Sequence, residues 1–99
     1  MAEALAEESA LQRHLVLIPG QLRGYVDGRD RVSAAGATLD ALFDDLDRQF
    51  PGLRFRVIDE QDRLRRHMLL FVGDERQDDL RAPLPPGATV MVVGALSGG

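Results

Sequence analysis

Apolar residues along this chain follow two rhythms, unbroken short runs closed by Gly or Pro and one stretch at helical spacing. His14-Leu15-Val16-Leu17-Ile18 stops at Pro19-Gly20 and predicts a buried strand. Met68-Leu69-Leu70-Phe71-Val72, broken at Gly73-Asp74, predicts another, and Thr89-Val90-Met91-Val92-Val93 a last one. The continuous apolar character of that last run predicts a central, well-covered position. Between these runs, Leu39, Leu42, Phe43, Leu46 and Phe50 draw the stripe of a helix with one face on a core. Thr38 is placed to cap its first turn, Asp40 and Arg48 suit the helix dipole, and Pro51-Gly52 ends it. Asp44, Asp45 and Asp47 fall off the stripe and are expected to form its solvated face.

Weaker signals fill the gaps. Tyr25 to Asp30, with Gly28 between two aspartates, reads as a turn, after which Arg31-Val32-Ser33-Ala34 can pair back on the first strand as a hairpin. Phe55 to Ile58 reads as a short extended segment before the charged turn Asp59-Glu60-Gln61-Asp62-Arg63. Pro83-Leu84-Pro85-Pro86-Gly87 is too rich in Pro for a regular element, and its nominal PxxP match reads as a loop inside the fold. Ala2 to Leu11 is Ala- and Glu-rich and too short for a stable isolated helix. The expected organisation is a mobile leader over 1–13, one domain over 14–94 and a tail over 95–99. Two hairpins flanking one helix make an α+β domain with a mixed sheet of four to five strands. The first and last strands, the most apolar, belong side by side at its centre. That arrangement is a β-grasp.

Charge and composition narrow the function. The net charge of −4 argues against a nucleic-acid partner, which calls for a concentrated basic face. No apolar run approaches a membrane span, and a secretion signal is not evident, so a cytoplasmic protein is expected. The chain has no Cys, which removes a disulfide framework, a thiolate zinc site and a cysteine nucleophile. All twelve basic residues are Arg, so the chain cannot be linked to its own copies through Lys.

Catalytic constellations are missing. His14 and His67 do not make a metal site by spacing, and each sits beside a strand. Ser9, Ser33 and Ser97 stand outside any nucleophile-elbow context. Gly20, Gly24 and Gly28 recur every four residues, but outside an apolar helix that spacing carries no association signal. No phosphate-cradling glycine motif is present. The expectation is therefore no catalytic residue, no metal and no bound cofactor.

What remains is Gly94-Ala95-Leu96-Ser97-Gly98-Gly99 after the last strand. With ten Gly in 99 residues, a final Gly-Gly arises by chance in about 1 of 100 such chains. Its physical use is specific: a tail threading a narrow tunnel needs minimal width and free torsions, which Gly supplies. A C-terminal Gly carboxylate is also sterically open to adenylation and then to attack by sulfur.

The chain resembles the MoaD/ThiS-type ubiquitin-like sulfur carriers from about Leu15 to Gly99. The matching stretches are Ile18-Pro19-Gly20-Gln21-Leu22-Arg23, Thr38-Leu39, Phe50-Pro51-Gly52-Leu53-Arg54, Asp59-Glu60, Leu64-Arg65 and Ala95-Leu96-Ser97-Gly98-Gly99. The resemblance implies a β-grasp and an adenylating partner related to ubiquitin-activating enzymes, which brings ATP and Mg²⁺. Gly99 would become acyl-adenylate and then thiocarboxylate, with Gly98, Ser97 and Leu96 presented to partner enzymes. The molybdopterin synthase small subunit is the commonest role for such a sequence, so the second enzyme expected first is the molybdopterin synthase large subunit, which would accept the sulfur in a tight heterodimer. The stretch from Leu53 to Arg66 is longer than a minimal carrier needs and is similar to carriers feeding cysteine or other sulfur-metabolite synthesis. In the family, the sheet face away from the helix meets partners, which makes Phe71 and Met91 candidate docking residues; simple core membership is the alternative for both. Gly94 stands where many relatives have Pro, and is expected to loosen the exit from the last strand. Two other classes compete: a protein modifier joined through Gly99 to a Lys of another protein, and an inert β-grasp interaction module.

Overall fold

A computed structural model of the chain describes residues 13–94. Its sheet has five strands: β1 (Arg13–Leu17), β2 (Arg31–Ala35), β3 (Met68–Val72), β4 (Glu75–Arg76) and β5 (Thr89–Gly94). They lie in the order β2-β1-β5-β3-β4, with β1 and β5 parallel and the other neighbours antiparallel. The main helix α1 (Leu39–Gln49) and the short α2 (Leu53–Val57) pack on one side. This is the β-grasp that the apolar pattern predicts, with the first and last strands adjacent at the centre.

The alternation of burial along the strands decides which residues meet the helix. Val16 on β1, Val32 and Ala34 on β2, Leu70 on β3, and Val90 and Val92 on β5 are buried. They join Leu39, Leu42, Phe43 and Leu46 of α1 in one core. Burying an aliphatic or aromatic side chain of this size is worth about 1.5–3 kcal/mol, so this layer supplies most of the drive for folding. The Thr38 hydroxyl caps α1 by accepting the Ala41 N–H at 3.1 Å.

The structure differs from the sequence reading at three places, each with a physical cause. Residues Leu53–Val57 are helical, not extended. Gly52, at φ 95°, turns the chain back after the first helix, and Leu53 and Val57 bury one side of a single new turn. Asp47 caps that turn, its Oδ1 accepting the N–H groups of Gly52 at 3.0 Å and Arg54 at 3.2 Å. The aspartates of α1 are thus partly engaged and not a purely solvated face. Asp45 Oδ2 accepts the Ala35 N–H at 2.9 Å and ties α1 to the end of β2. Finally, a 3-10 helix over Gly20–Val26, which buries Leu22 and Val26, forms ahead of the turn predicted for Tyr25 to Asp30 and takes in its first two residues.

Arg54 organises the charged side of the two helices. Its guanidinium meets Asp40 at 2.7 Å, Asp44 at 3.2 Å and Asp62 at 3.2 Å, and donates to the Asp40 carbonyl at 3.0 Å. Burial works against its charge, yet hydrogen bonding and attraction to these carboxylates raise its pKa above the ordinary arginine value. Arg65 stacks over the exposed ring of Phe55, at 4.4 Å from its centroid, and donates to the Phe55 carbonyl.

Candidate functional site

Because side chains alternate along a strand, every buried core residue leaves a neighbour pointing to the other side of the sheet. On β1 these are Leu15 and Leu17, on β3 Leu69 and Phe71, and on β5 Met91 and Val93. The register brings them together: Leu17 and Phe71 both pair with Met91, from opposite sides, and Leu69 pairs with Val93. Met91 is 37% exposed and Leu15 38%, whereas the rest are partly covered by one another. The helices do not cover this face. A continuous apolar surface across three strands is what a protein docking site needs, and isolated exposed residues are not.

Phe71 and Met91 therefore lie on the outer face and are not core residues. Leu15, Leu17, Leu69 and Val93 complete the surface, and the sequence reading missed them. Their signal was present in principle: in an unbroken apolar run only one parity can face α1. The last strand is central as expected, but only one of its faces is covered.

This surface runs to the end of β5, where residues 95–99 continue the chain. Leu96, Ser97, Gly98 and Gly99 lie outside the described residues. Gly94 remains in the ladder, paired with Met68 of β3, and the exit that it was expected to loosen lies outside the described residues. Beside it lies an open groove of about 360 Å³ whose walls include Leu17, Pro19, Arg23, Met91 and Val93. Arg23 is held there by a hydrogen bond from its Nε to the Ile18 carbonyl at 3.3 Å. A larger groove, about 560 Å³, lies between residues 62–66 and 76–81 and is walled by arginines and aspartates of both signs.

Of the residues set aside in the sequence, Ser9 and Ser97 lie outside the described residues. His14 is buried, and its Nε2 lies 2.8 Å from the Gly36 carbonyl. A carbonyl only accepts, so Nε2 carries the proton and donates it. His67 is exposed. Among the described residues no group of three or more His, Cys, Asp or Glu could hold a metal ion, and no helix is long and apolar enough to cross a membrane. The Ser33 hydroxyl accepts from Arg13 at 3.0 Å, and the Ser33 carbonyl from Gln49 at 3.0 Å.

Comparison with known proteins agrees with this geometry. No family model matches the chain. The sulfur carrier protein CysO of Mycobacterium tuberculosis is 33% identical over 89 residues, 85% of this chain and 96% of the relative, and the Mycobacterium bovis protein matches equally. Among solved structures, a chain of the Amycolatopsis orientalis BexX/CysO complex superposes with a TM-score of 0.80 at 31% identity, covering 87% of this chain and 99% of its own. Crystalline M. tuberculosis CysO gives a TM-score of 0.78 at 31% identity, covering 84% and 99%. SAMP1 from Haloferax volcanii shares the fold, with a TM-score of 0.74 at 21% identity over 88% of this chain and 99% of its own. A carrier needs a presented tail and a face for its partners, and a third of the residues over nearly the whole relative are shared: the chain belongs to the MoaD/ThiS-type ubiquitin-like sulfur carriers, a family of small carriers without catalysis of their own.

Proposed function

We propose that the chain carries sulfur on the carboxyl group of Gly99, the last residue of the sequence. In this reading an adenylating partner holds ATP and Mg²⁺, and the Gly99 carboxylate attacks the α-phosphorus. Pyrophosphate leaves and an acyl-adenylate forms. Sulfide then attacks the acyl carbon and displaces AMP, leaving a thiocarboxylate. On a second enzyme the sulfur bonds to the acceptor, and water hydrolyses the remaining acyl–sulfur bond to return the carboxylate. The carrier's own part is presentation: Leu96, Ser97 and Gly98 form the narrow lead into the partner, while Phe71, Met91 and their neighbours seat the domain against it.

The observation that carries this reading is the placement of the tail root. β5 is the central strand, held by β1 and β3, and it delivers Gly94 at the edge of the apolar outer face. A partner seated on that face receives the tail from a rigid base. The length of the stretch from Leu53 to Arg66 favours a sulfur-metabolite acceptor, with the molybdopterin synthase large subunit as the other candidate. Both steps are assigned to the cytoplasm.

The test is ATP–pyrophosphate exchange by a family adenylating enzyme in the presence of the chain. Exchange that depends on the chain and disappears when Gly99 is deleted supports the reading; exchange that survives the deletion contradicts it.

A further inference from the structure

β1 and β5 run parallel, so β1 ends at the same edge of the sheet at which β5 delivers the tail. The chain leaves β1 through Ile18 and Pro19 and enters the 3-10 helix Gly20–Val26 at that edge. Its second residue, Gln21, lies directly on Gly94: a Cβ built on Gly94 would fall 2.7 Å from Gln21 Cδ and nearer still to Nε2. The carboxamide occupies the space that a side chain at position 94 would fill. With Met68 of β3 paired on the other side, the last described residue is clasped from both flanks.

We infer that Gln21 is a positioning residue for the tail, setting the direction in which residues 95–99 leave the sheet. Gly94 is the residue type that admits this contact, because any Cβ would push the amide away. The contact that the structure shows is one of packing, the carboxamide lying against the Gly94 backbone. A tail entering a partner's tunnel loses conformational freedom, and a root already fixed has less to lose. The inference rests on the proposed function, since only an activated tail gives its direction a consequence. It makes Gly94 and Gln21 one device, where the residue type of Gly94 alone suggests looseness.

The experiment compares wild type, Gln21→Ala, Gly94→Ala and the double variant. Adenylation is followed by ATP–pyrophosphate exchange with a family adenylating enzyme, and backbone motion of the free chain by ¹⁵N relaxation at positions 94 and 95. Gln21 is exposed, and circular dichroism confirms that each variant is folded. Freeing one residue's backbone corresponds to about fivefold or more. Gln21→Ala is expected to raise the KM for the chain by that factor and leave kcat within about twofold, since the reacting carboxylate is untouched. Gly94→Ala should do the same, and the double variant should be no worse than either alone, because both remove one contact. Gln21→Met, which fills similar space without the amide, separates packing from hydrogen bonding. Unchanged KM and relaxation in Gln21→Ala overturn the inference while wild-type exchange still upholds the carrier reading. If wild type shows no exchange, the carrier reading fails, and the relaxation data alone decide whether Gln21 holds the strand end.

Discussion

Phe71 on β3 and Met91 on β5 are directly paired across the sheet, on the face that the helices leave uncovered. This pair is the middle of the apolar surface beside the tail root. Phe71→Glu or Met91→Glu should leave thermal unfolding nearly unchanged, because neither side chain belongs to the core. The same variants should lower kcat/KM for adenylation by about tenfold or more, the scale of losing an interface anchor. Steady-state exchange kinetics together with a melting curve check both halves.

Gly36 is required by packing. A Cβ there would fall 2.7 Å from the Leu42 Cα and 2.9 Å from the Ala41 carbonyl carbon, both backbone atoms of α1. Gly36→Ala should therefore push β2 and α1 apart and disturb the carbonyl that accepts from His14. A loss of about 1–3 kcal/mol is expected, as for other overpacked cores, measured as a lowered midpoint in urea.

Removing the Arg54 side chain leaves Asp40, Asp44 and Asp62 facing one another. Arg54→Ala should cost about 1–2 kcal/mol, with a smaller loss in high salt. Arg54→Lys should recover only part, because a single ammonium cannot span three carboxylates as the guanidinium fork does. Urea denaturation at low and high ionic strength distinguishes these outcomes.

Asp45 links folding to pH. Burial pushes its carboxyl pKa up, but the hydrogen bonds from the Ala35 N–H, Arg48 and Gln49 outweigh this and hold it below the ordinary aspartate value. A carboxyl that is more acidic folded than unfolded contributes fully above its unfolded pKa, and loses that contribution as pH falls through the folded value. Asp45→Asn should thus cost stability at neutral pH and flatten the acid side of the stability curve between about pH 5 and pH 2. Thermal melting across that range is the check.

The fold was largely legible because its strongest signals were local. The stripe Leu39, Leu42, Phe43, Leu46 at helical spacing and the three apolar runs each specify an element without knowledge of the rest. Residues 53–57 were harder, because Pro51-Gly52 announces an ending and the restart depends on Asp47 reaching forward to cap it. At the site, Phe71 and Met91 were readable only as alternatives. In a run such as Met68–Val72 every position is apolar, so which parity faces α1 is settled by register against β5. The contact of Gln21 with Gly94 had no local signal, since it arises from the parallel pairing of strands more than 70 residues apart in the chain.

Protein mass reads the central claim most directly. The intact chain is incubated with a family adenylating enzyme, Mg-ATP and sulfide, beside a variant lacking Gly99, and both are weighed by mass spectrometry. A sulfur carrier gains the mass of one oxygen exchanged for sulfur, located by fragmentation at Gly99, and the shortened chain gains nothing. An unchanged mass in the intact chain, under conditions where the same enzyme loads another carrier of the family, would contradict the account.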